Sequence, residues 1–193
     1  MLKLAVLSLA CAATGVAAQD VPAAAAHAPA EHGGMNHADM AAPKTPQIMP
    51  GYGNGGFTIT TAVPRAQAFF TNGMQLAHAF AHAAAIAAMA EAVRLDPACA
   101  MCLWGKSWAS GPTINFGKSA DEIAPLAAMA DKAALLAKTS GTDRERALIH
   151  ALQLRYKDGG GGKPGDLAFA KAMATLAARY PSDDEIAVMT ADA

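Results

Sequence analysis

Residues 69–97 read FFTNGMQLAHAFAHAAAIAAMAEAVRLDP, and this stretch decides the fold that the sequence predicts. Large apolar residues recur along it at helical spacing, which predicts one helix over about 65–80 and another over about 83–95. Gly73 and Ala85 have small side chains, so two paired helices can approach closely at these positions. The stretch therefore predicts an antiparallel helical hairpin that ends where a proline stops the second helix.

Further helices are predicted on the carboxyl side of this hairpin. One runs over about 99–110 and stops at Gly111-Pro112. Three later starts have a hydroxyl residue followed three positions on by glutamate, the pattern of a capping box: Ser119–Glu122, Thr142–Glu145 and Ser182–Glu185. They predict helices over about 120–138, over about 143–157 and from 183 onward, and Asp166 is predicted to cap another over about 167–180.

The first hairpin has a spacing that is shared with a known repeat. The spacing is Phe69-x2-Asn72-Gly73-x2-Leu76, then Ala85-x3-Met89, then Pro97. It resembles the tetratricopeptide pattern: the glycine, alanine and proline match, three apolar residues replace aromatic or other apolar ones, and Asn72 departs. The resemblance implies an all-α domain of stacked antiparallel helix pairs, a TPR-like α-solenoid over residues 61–193. An alanine-rich helical hairpin outside that family is the alternative.

A longer set of motifs resembles exported bacterial tetratricopeptide-repeat (TPR) proteins. The motifs are Phe80-Ala-His82, Leu95-Asp-Pro97-Ala-Cys99-Ala-Met-Cys102-Leu-Trp104-Gly105 and Gly111-Pro112-Thr113-Ile114-Asn115. In this chain Ala81 and Thr113 stand where the group has asparagines. The resemblance implies a scaffold and no assigned reaction. It also implies that residues 61–193 are the N-terminal fragment of a longer array.

The amino-terminal region is predicted to direct export. Residues 1–18 have the charge, apolar run and small-residue cleavage site of a signal peptide, which predicts a periplasmic or secreted protein. Residues 19–60 are rich in His, Met, Pro and Gly and are predicted to be a disordered tail, with a short extended piece near its end, 57–61, at the domain edge. The alanine-rich run 74–90 is too weakly apolar to predict a membrane span.

Two groups of soft ligands are candidate chemical sites. Cys99 and Cys102 form a C-x-x-C pair at a predicted helix start, which is compatible with a local disulfide or packed thiols, and also with redox or metal chemistry. Imidazole and thioether groups cluster in the tail, and these ligand types suit copper: His32, Met35, His37 and Met40. Copper is therefore a candidate cofactor, although the predicted fold requires none.

A small polar site is predicted at one end of the helix pairs. Turns within pairs lie at the opposite end from turns between pairs, so His82 and the loop with Thr113 and Asn115 should meet, while Cys99 should lie at the far end. We hypothesise that His82, Thr113 and Asn115 line this site together.

The sequence leaves two functions open. A formal net charge of −1 gives no indication of nucleic-acid binding, and no nucleophile-elbow, phosphate-loop or paired-carboxylate pattern predicts an enzyme. The favoured function is a scaffold that binds a protein or peptide partner on its concave face. The alternative is an exported copper-handling or thiol-redox protein that uses the tail and the cysteine pair.

Overall fold

The computed structural model describes residues 46–160 and 162–193, and this part of the chain is all-helical. It contains seven α-helices and no strand, which confirms the all-α prediction. The helices are α1 (Pro64–His78), α2 (His82–Leu95), α3 (Ala100–Ala109), α4 (Ala120–Ser140), α5 (Asp143–Tyr156), α6 (Lys163–Arg179) and α7 (Asp184–Ala191), and a 3₁₀ turn, Lys157–Gly159, follows α5. Within these ranges no helix is long and apolar enough to cross a membrane.

Two of the three predicted capping boxes are present. Ser119 begins α4 and Thr142 begins α5, and in each box the hydroxyl accepts from the third helical N–H while the glutamate accepts from the cap's own N–H. These bonds satisfy amide groups that the first helical turn leaves without a partner.

The caps predicted for the last two helices are wrong. α7 is capped by Asp183, which accepts from the Ile186 N–H at 3.0 Å, because Glu185 binds another part of the chain. α6 begins at Lys163, four residues before the predicted start, with a proline in its first turn where the missing N–H is harmless. Asp166 is therefore inside α6 and binds the Arg155 guanidinium at 3.0 Å instead of capping the helix.

Each helix packs against the next one along the chain. α1 also contacts α3, and α3 also contacts α5, so these three helices form a layer of their own. The core beneath them is made of large apolar side chains from α1 to α5 that exclude solvent: Phe69, Phe70, Met74, Leu76, Met89, Met101, Trp104, Ile123, Leu148, Ile149 and Leu152.

Met89 of α2 is the point at which the first three helices meet. A Cβ atom added to Gly73 of α1 would lie 2.8 Å from its Cε, and one added to Gly105 of α3 would lie 2.7 Å from its Sδ. The two glycines thus allow α1 and α3 to approach one flexible apolar side chain. The other residues predicted to pack the hairpin, Phe69, Leu76 and Ala85, are also buried, whereas Pro97 is exposed in the turn after α2.

Residues 46–63 precede α1 and lie against the helices without forming one. Three glycines in this stretch have positive φ angles, at Gly51, Gly53 and Gly56, which lets the chain turn back sharply. The sequence predicts a disordered tail over 19–60 with a short extended piece, 57–61, at the domain edge, but the bonds to side chains of the helices already begin at Met49. The rest of that tail and the predicted signal peptide lie outside the described residues.

We predict that a side chain at Gly105 destabilises the domain. Gly105→Val places two methyl groups where Met89 and Phe70 already touch the backbone, so the free energy of unfolding should fall by about 2 kcal/mol. Gly117→Val is the control, because a Cβ at Gly117 meets nothing within 4 Å. Urea denaturation of both variants measures the difference, and equal stability of the two would contradict the packing described for Met89.

We also predict that two serines of the same apparent motif differ in their effect on stability. Ser119→Ala removes a cap and should lower the free energy of unfolding by about 1 kcal/mol. Ser182→Ala should change it by less than about 0.5 kcal/mol, because Asp183 caps α7. Thermal and urea unfolding of the two variants measure the difference. A larger loss of stability for Ser182→Ala than for Ser119→Ala would contradict the assignment of Asp183 as the cap of α7.

Candidate functional site

Residues 49–61 lie against the helices and are bonded to side chains of α1, α5 and α7, and we call them the inner segment. Asn72 on α1 binds main-chain atoms at the start of the inner segment. The Asn72 side chain accepts from the Met49 N–H at 2.9 Å and donates to the Met49 carbonyl at 2.8 Å. Asn72 is only 2% exposed, and both ends of its amide are satisfied by these bonds.

A second amide side chain holds the later part of the inner segment in the same way. Gln67 on α1 donates to the Phe57 carbonyl at 2.9 Å and accepts from the Ile59 N–H at 2.8 Å. Between these two clamps, Gln75 donates to the Gly55 carbonyl at 3.1 Å. All these bonds go to main-chain atoms, so they depend on the path of the backbone and not on which side chains the segment has.

Carboxylates from other elements hold the end of the inner segment. Glu145 on α5 accepts from the Thr60 N–H at 2.6 Å and from the Thr60 hydroxyl at 2.8 Å. Asp96, just after α2, accepts from the Thr61 hydroxyl at 2.5 Å. Glu145 is 3% exposed and its side chain also accepts from the N–H of its helix cap, so this buried polar group has several donors around it.

An aromatic side chain anchors the middle of the inner segment. The Phe57 ring lies edge-on to Phe70 with centroids 5.1 Å apart and 6.3 Å from the centroid of Trp104. The Arg144 guanidinium lies over the other side, 4.0 Å from the ring centroid, in cation–π geometry. Arg144 is itself fixed by two bonds to Asp183, at 2.5 and 3.0 Å, which hold the pKa of that carboxyl below its ordinary value.

Glu185 on α7 ties the last described helix to the first. Its carboxylate accepts from the Gly56 N–H and lies 3.0 Å from Nε2 of His78 at the end of α1. The bond with His78 is the main reason that the pKa of Glu185 lies below its ordinary value, since burial acts in the opposite direction. One carboxylate thus joins α7, α1 and the inner segment.

The three residues of the predicted polar site lie in one cavity. His82, Thr113 and Asn115 line a half-enclosed cavity of about 220 Å³ together with His78 and Trp108. The Trp108 ring stacks on Trp104 at 5.8 Å, so the cavity adjoins the aromatic residues that contact the inner segment. The structure brings these residues together, and a ligand for the cavity stays a prediction.

Apolar side chains stand exposed beside this cavity. Phe80 is 73% exposed and Ile114 is 89% exposed. Phe80 has a φ angle of 60° at the end of α1, where the Ala81 N–H returns to the Leu76 carbonyl at 2.9 Å. Glycine is the usual residue at this left-handed position after a helix, so a phenylalanine there is strained.

The cysteine pair lies away from the cavity. Cys99 and Cys102 form a disulfide, which is one of the interpretations that the sequence leaves open. Cys99 caps α3, and its sulfur accepts from the Cys102 N–H at 3.0 Å. α3 has 10 residues, so the pair lies a helix length of about 15 Å from the loop with Thr113 and Asn115. Both cysteines are buried.

The predicted copper ligands cannot be placed. His32, Met35, His37 and Met40 lie outside the described residues, and copper binding by them stays a prediction. Among the residues that are described, no group of three or more His, Cys, Asp or Glu side chains is arranged to hold a metal ion.

Sequence reasoning missed most residues that contact the inner segment. Gln67, Gln75, Arg144 and Glu185 have no motif of their own, and Glu145 is recognisable only as a capping residue. One signal was available: Asn72 is the position at which the first hairpin departs from the repeat pattern, and it is the residue that clamps Met49.

We predict that Glu185 stabilises the fold in a pH-dependent way. A carboxyl whose pKa is lowered by folding stabilises fully above its unfolded pKa of about 4.3, and this stabilisation is lost as the pH falls through the folded value. Glu185→Gln should therefore cost about 1 kcal/mol at pH 6 and much less at pH 3. Urea denaturation at both pH values measures this. Asp184→Asn is the exposed control on the same helix, and a Glu185→Gln deficit as large at pH 3 would contradict the assignment.

Comparison of the chain with protein-family models, with curated proteins and with solved structures gives no match. The resemblance to exported TPR proteins therefore depends on the residues quoted above, and what it implies for function belongs to the proposal that follows.

Proposed function

We propose that this chain is an exported, TPR-like scaffold that binds an extended polypeptide along α1, α3, α5 and α7. The observation on which this depends is the pair of amide clamps: Asn72 and Gln67 each bond one main-chain donor and one main-chain acceptor of the inner segment. We call the surface that holds the inner segment the groove. Its other bonds come from Glu145 on α5 and Glu185 on α7.

The amide clamps offset the main free-energy cost of burying a peptide, which is the desolvation of its main-chain polar groups. Main-chain N–H and C=O groups lose water on binding, and each group left unpaired costs about 1–3 kcal/mol. Side chains that supply both a donor and an acceptor remove this cost at residues Met49, Phe57 and Ile59. A surface built in this way accepts main chain in general, as a scaffold for polypeptides must.

The packing of the helices supports a TPR-like arrangement. In stacked helix pairs the first helices of successive pairs contact one another and line the concave face. Here α1 contacts α3 and α3 contacts α5. The inner segment is bonded to α1, α5 and α7, and its Phe57 ring lies beside Trp104 of α3. Gly73, Ala85 and Met89 are buried where the repeat pattern requires close contact within a pair.

The groove is occupied in this structure by part of the same chain. A tethered segment competes at an effective concentration of the order of millimolar, so an added peptide must displace it. A full-length variant with Phe57→Ser and Ile59→Ser removes the two apolar anchors of the inner segment and leaves every residue of the groove intact. We call this the open-groove variant.

We predict that the open-groove variant binds a labelled peptide of residues 46–61 in a saturable manner. Adding Gln67→Ala should weaken binding about tenfold, since two main-chain bonds are lost. Gln153→Ala is the control, because Gln153 on α5 binds Asp131 on α4 and not the inner segment. Fluorescence anisotropy gives the dissociation constants, and circular dichroism checks that the helices are retained. A helical variant that shows no saturable binding would refute the proposed function.

A further inference from the structure

We infer that the groove selects its partner by side chains as well as by main chain, and that it takes an extended segment of the form Gly–aromatic–x–aliphatic–Ser/Thr–Ser/Thr. This inference rests on the proposed function. The pattern is that of Gly56 to Thr61, the part of the inner segment whose side chains have dedicated partners. The partner class is thus a polypeptide with such a segment exposed.

The aromatic position is defined by three surfaces. Phe70 contacts the edge of the Phe57 ring, Trp104 lies beside it, and Arg144 covers its face at 4.0 Å. A guanidinium held by Asp183 cannot move away to admit water, because two bonds fix it. An aliphatic side chain offers Arg144 no π face, so an aromatic residue is favoured over leucine or valine.

The aliphatic position follows from the alternation of an extended chain. Side chains at alternate positions point to opposite faces, so Phe57 and Ile59 face the helices while Thr58 faces solvent. Ile59 is 4% exposed and belongs to the apolar core, whereas Thr58 is exposed. The position between the aromatic and the aliphatic residue is therefore free to vary.

The hydroxyl positions are defined by charge. Glu145 and Asp96 each accept a bond from a threonine hydroxyl, at 2.8 and 2.5 Å. A valine at either position leaves a carboxylate oxygen without its donor, and an acidic residue places like charges in contact. Glu145 cannot turn away from the groove freely, because it also accepts from the N–H of Thr142.

The glycine position is defined by the backbone. Gly56 has a φ angle of +100°, and a Cβ atom there would lie 3.0 Å from Cγ2 of Thr71. Its N–H donates to Glu185, so the chain must pass close to α1 and α7 at this point. A residue with a side chain would be strained by its own φ angle and would also press on Thr71.

The test compares peptides that differ by one side chain. Peptides of residues 54–62 are titrated into the open-groove variant, with Thr60→Val against Thr58→Val as the matched pair. Both threonines are exposed, but only the change at Thr60 removes the hydroxyl that donates to Glu145. We expect at least tenfold weaker binding for Thr60→Val, Thr60→Glu and Phe57→Ala. We expect Thr58→Val to stay within twofold of the parent peptide.

A second measurement uses the full chain with the inner segment in place, so it does not depend on the folding of the open-groove variant. Thr60→Val and Thr58→Val are made separately in the full chain, and hydrogen exchange of the Ile59 and Thr60 amides is measured. Faster exchange in Thr60→Val alone supports the selectivity, since only that change removes a bond to Glu145. Equal exchange in the two variants would overturn it.

The outcomes separate this inference from the proposed function. If the parent peptide binds and all the variants bind equally well, the groove recognises main chain only, so the inference fails and the proposed function stands. If no peptide binds a helical open-groove variant, the proposed function fails. If the parent peptide binds and loses affinity only at the bonded positions, both are supported.

Discussion

The contact of Met89 with Gly73 and Gly105 determines how closely α1 and α3 approach α2, and the site depends on that distance. Helices packed through side chains usually lie 8–10 Å apart, and glycine at the contact allows the lower end of that range. With α1 and α3 drawn towards one side chain, Phe70 and Trp104 come within 6.4 Å of each other. These two rings are the surface against which Phe57 packs, so the aromatic anchor of the inner segment depends on two residues that have no side chain at all.

Few polar groups are buried in the described part of the chain, and half of them face the inner segment. Asn72 and Glu145 are two of the four buried polar or charged residues in the described part of the chain, and both bond the inner segment. A buried carboxylate or amide is costly unless it is fully paired. The pairing here comes from residues 49–61, so the segment satisfies groups that would otherwise destabilise the helices. This explains why a stretch rich in glycine and proline lies in a defined position.

Much of the helical layout could be predicted from the sequence, because helix starts and stops are local. The boxes at Ser119 and Thr142 involve four consecutive residues each, and their chemistry is visible without a fold. The Ser182–Glu185 box and the Asp166 cap are predicted wrongly because the choice between capping and an ion pair depends on residues elsewhere in the chain, His78 for Glu185 and Arg155 for Asp166. The position of His82 and Asn115 at the same end of the helix pairs could also be predicted, because turns within pairs and turns between pairs lie at opposite ends. The groove could not be predicted, since its ligand is a segment without helical or strand periodicity.

Two helix starts on the groove have a second role, which couples the groove to the ends of its helices. Glu145 completes the cap of α5 with one oxygen and binds Thr60 with both, and Asp183 caps α7 while it orients Arg144 over Phe57. When the inner segment leaves the groove, Glu145 at the start of α5 therefore loses two of its hydrogen-bond donors. Arg144, which is held by the start of α7, loses the aromatic ring beneath its guanidinium. Conversely, a fully capped α5 presents Glu145 in the orientation that a hydroxyl can reach. Recognition in this groove thus depends on residues that the fold already requires, so its specificity follows from the capping of α5 and α7.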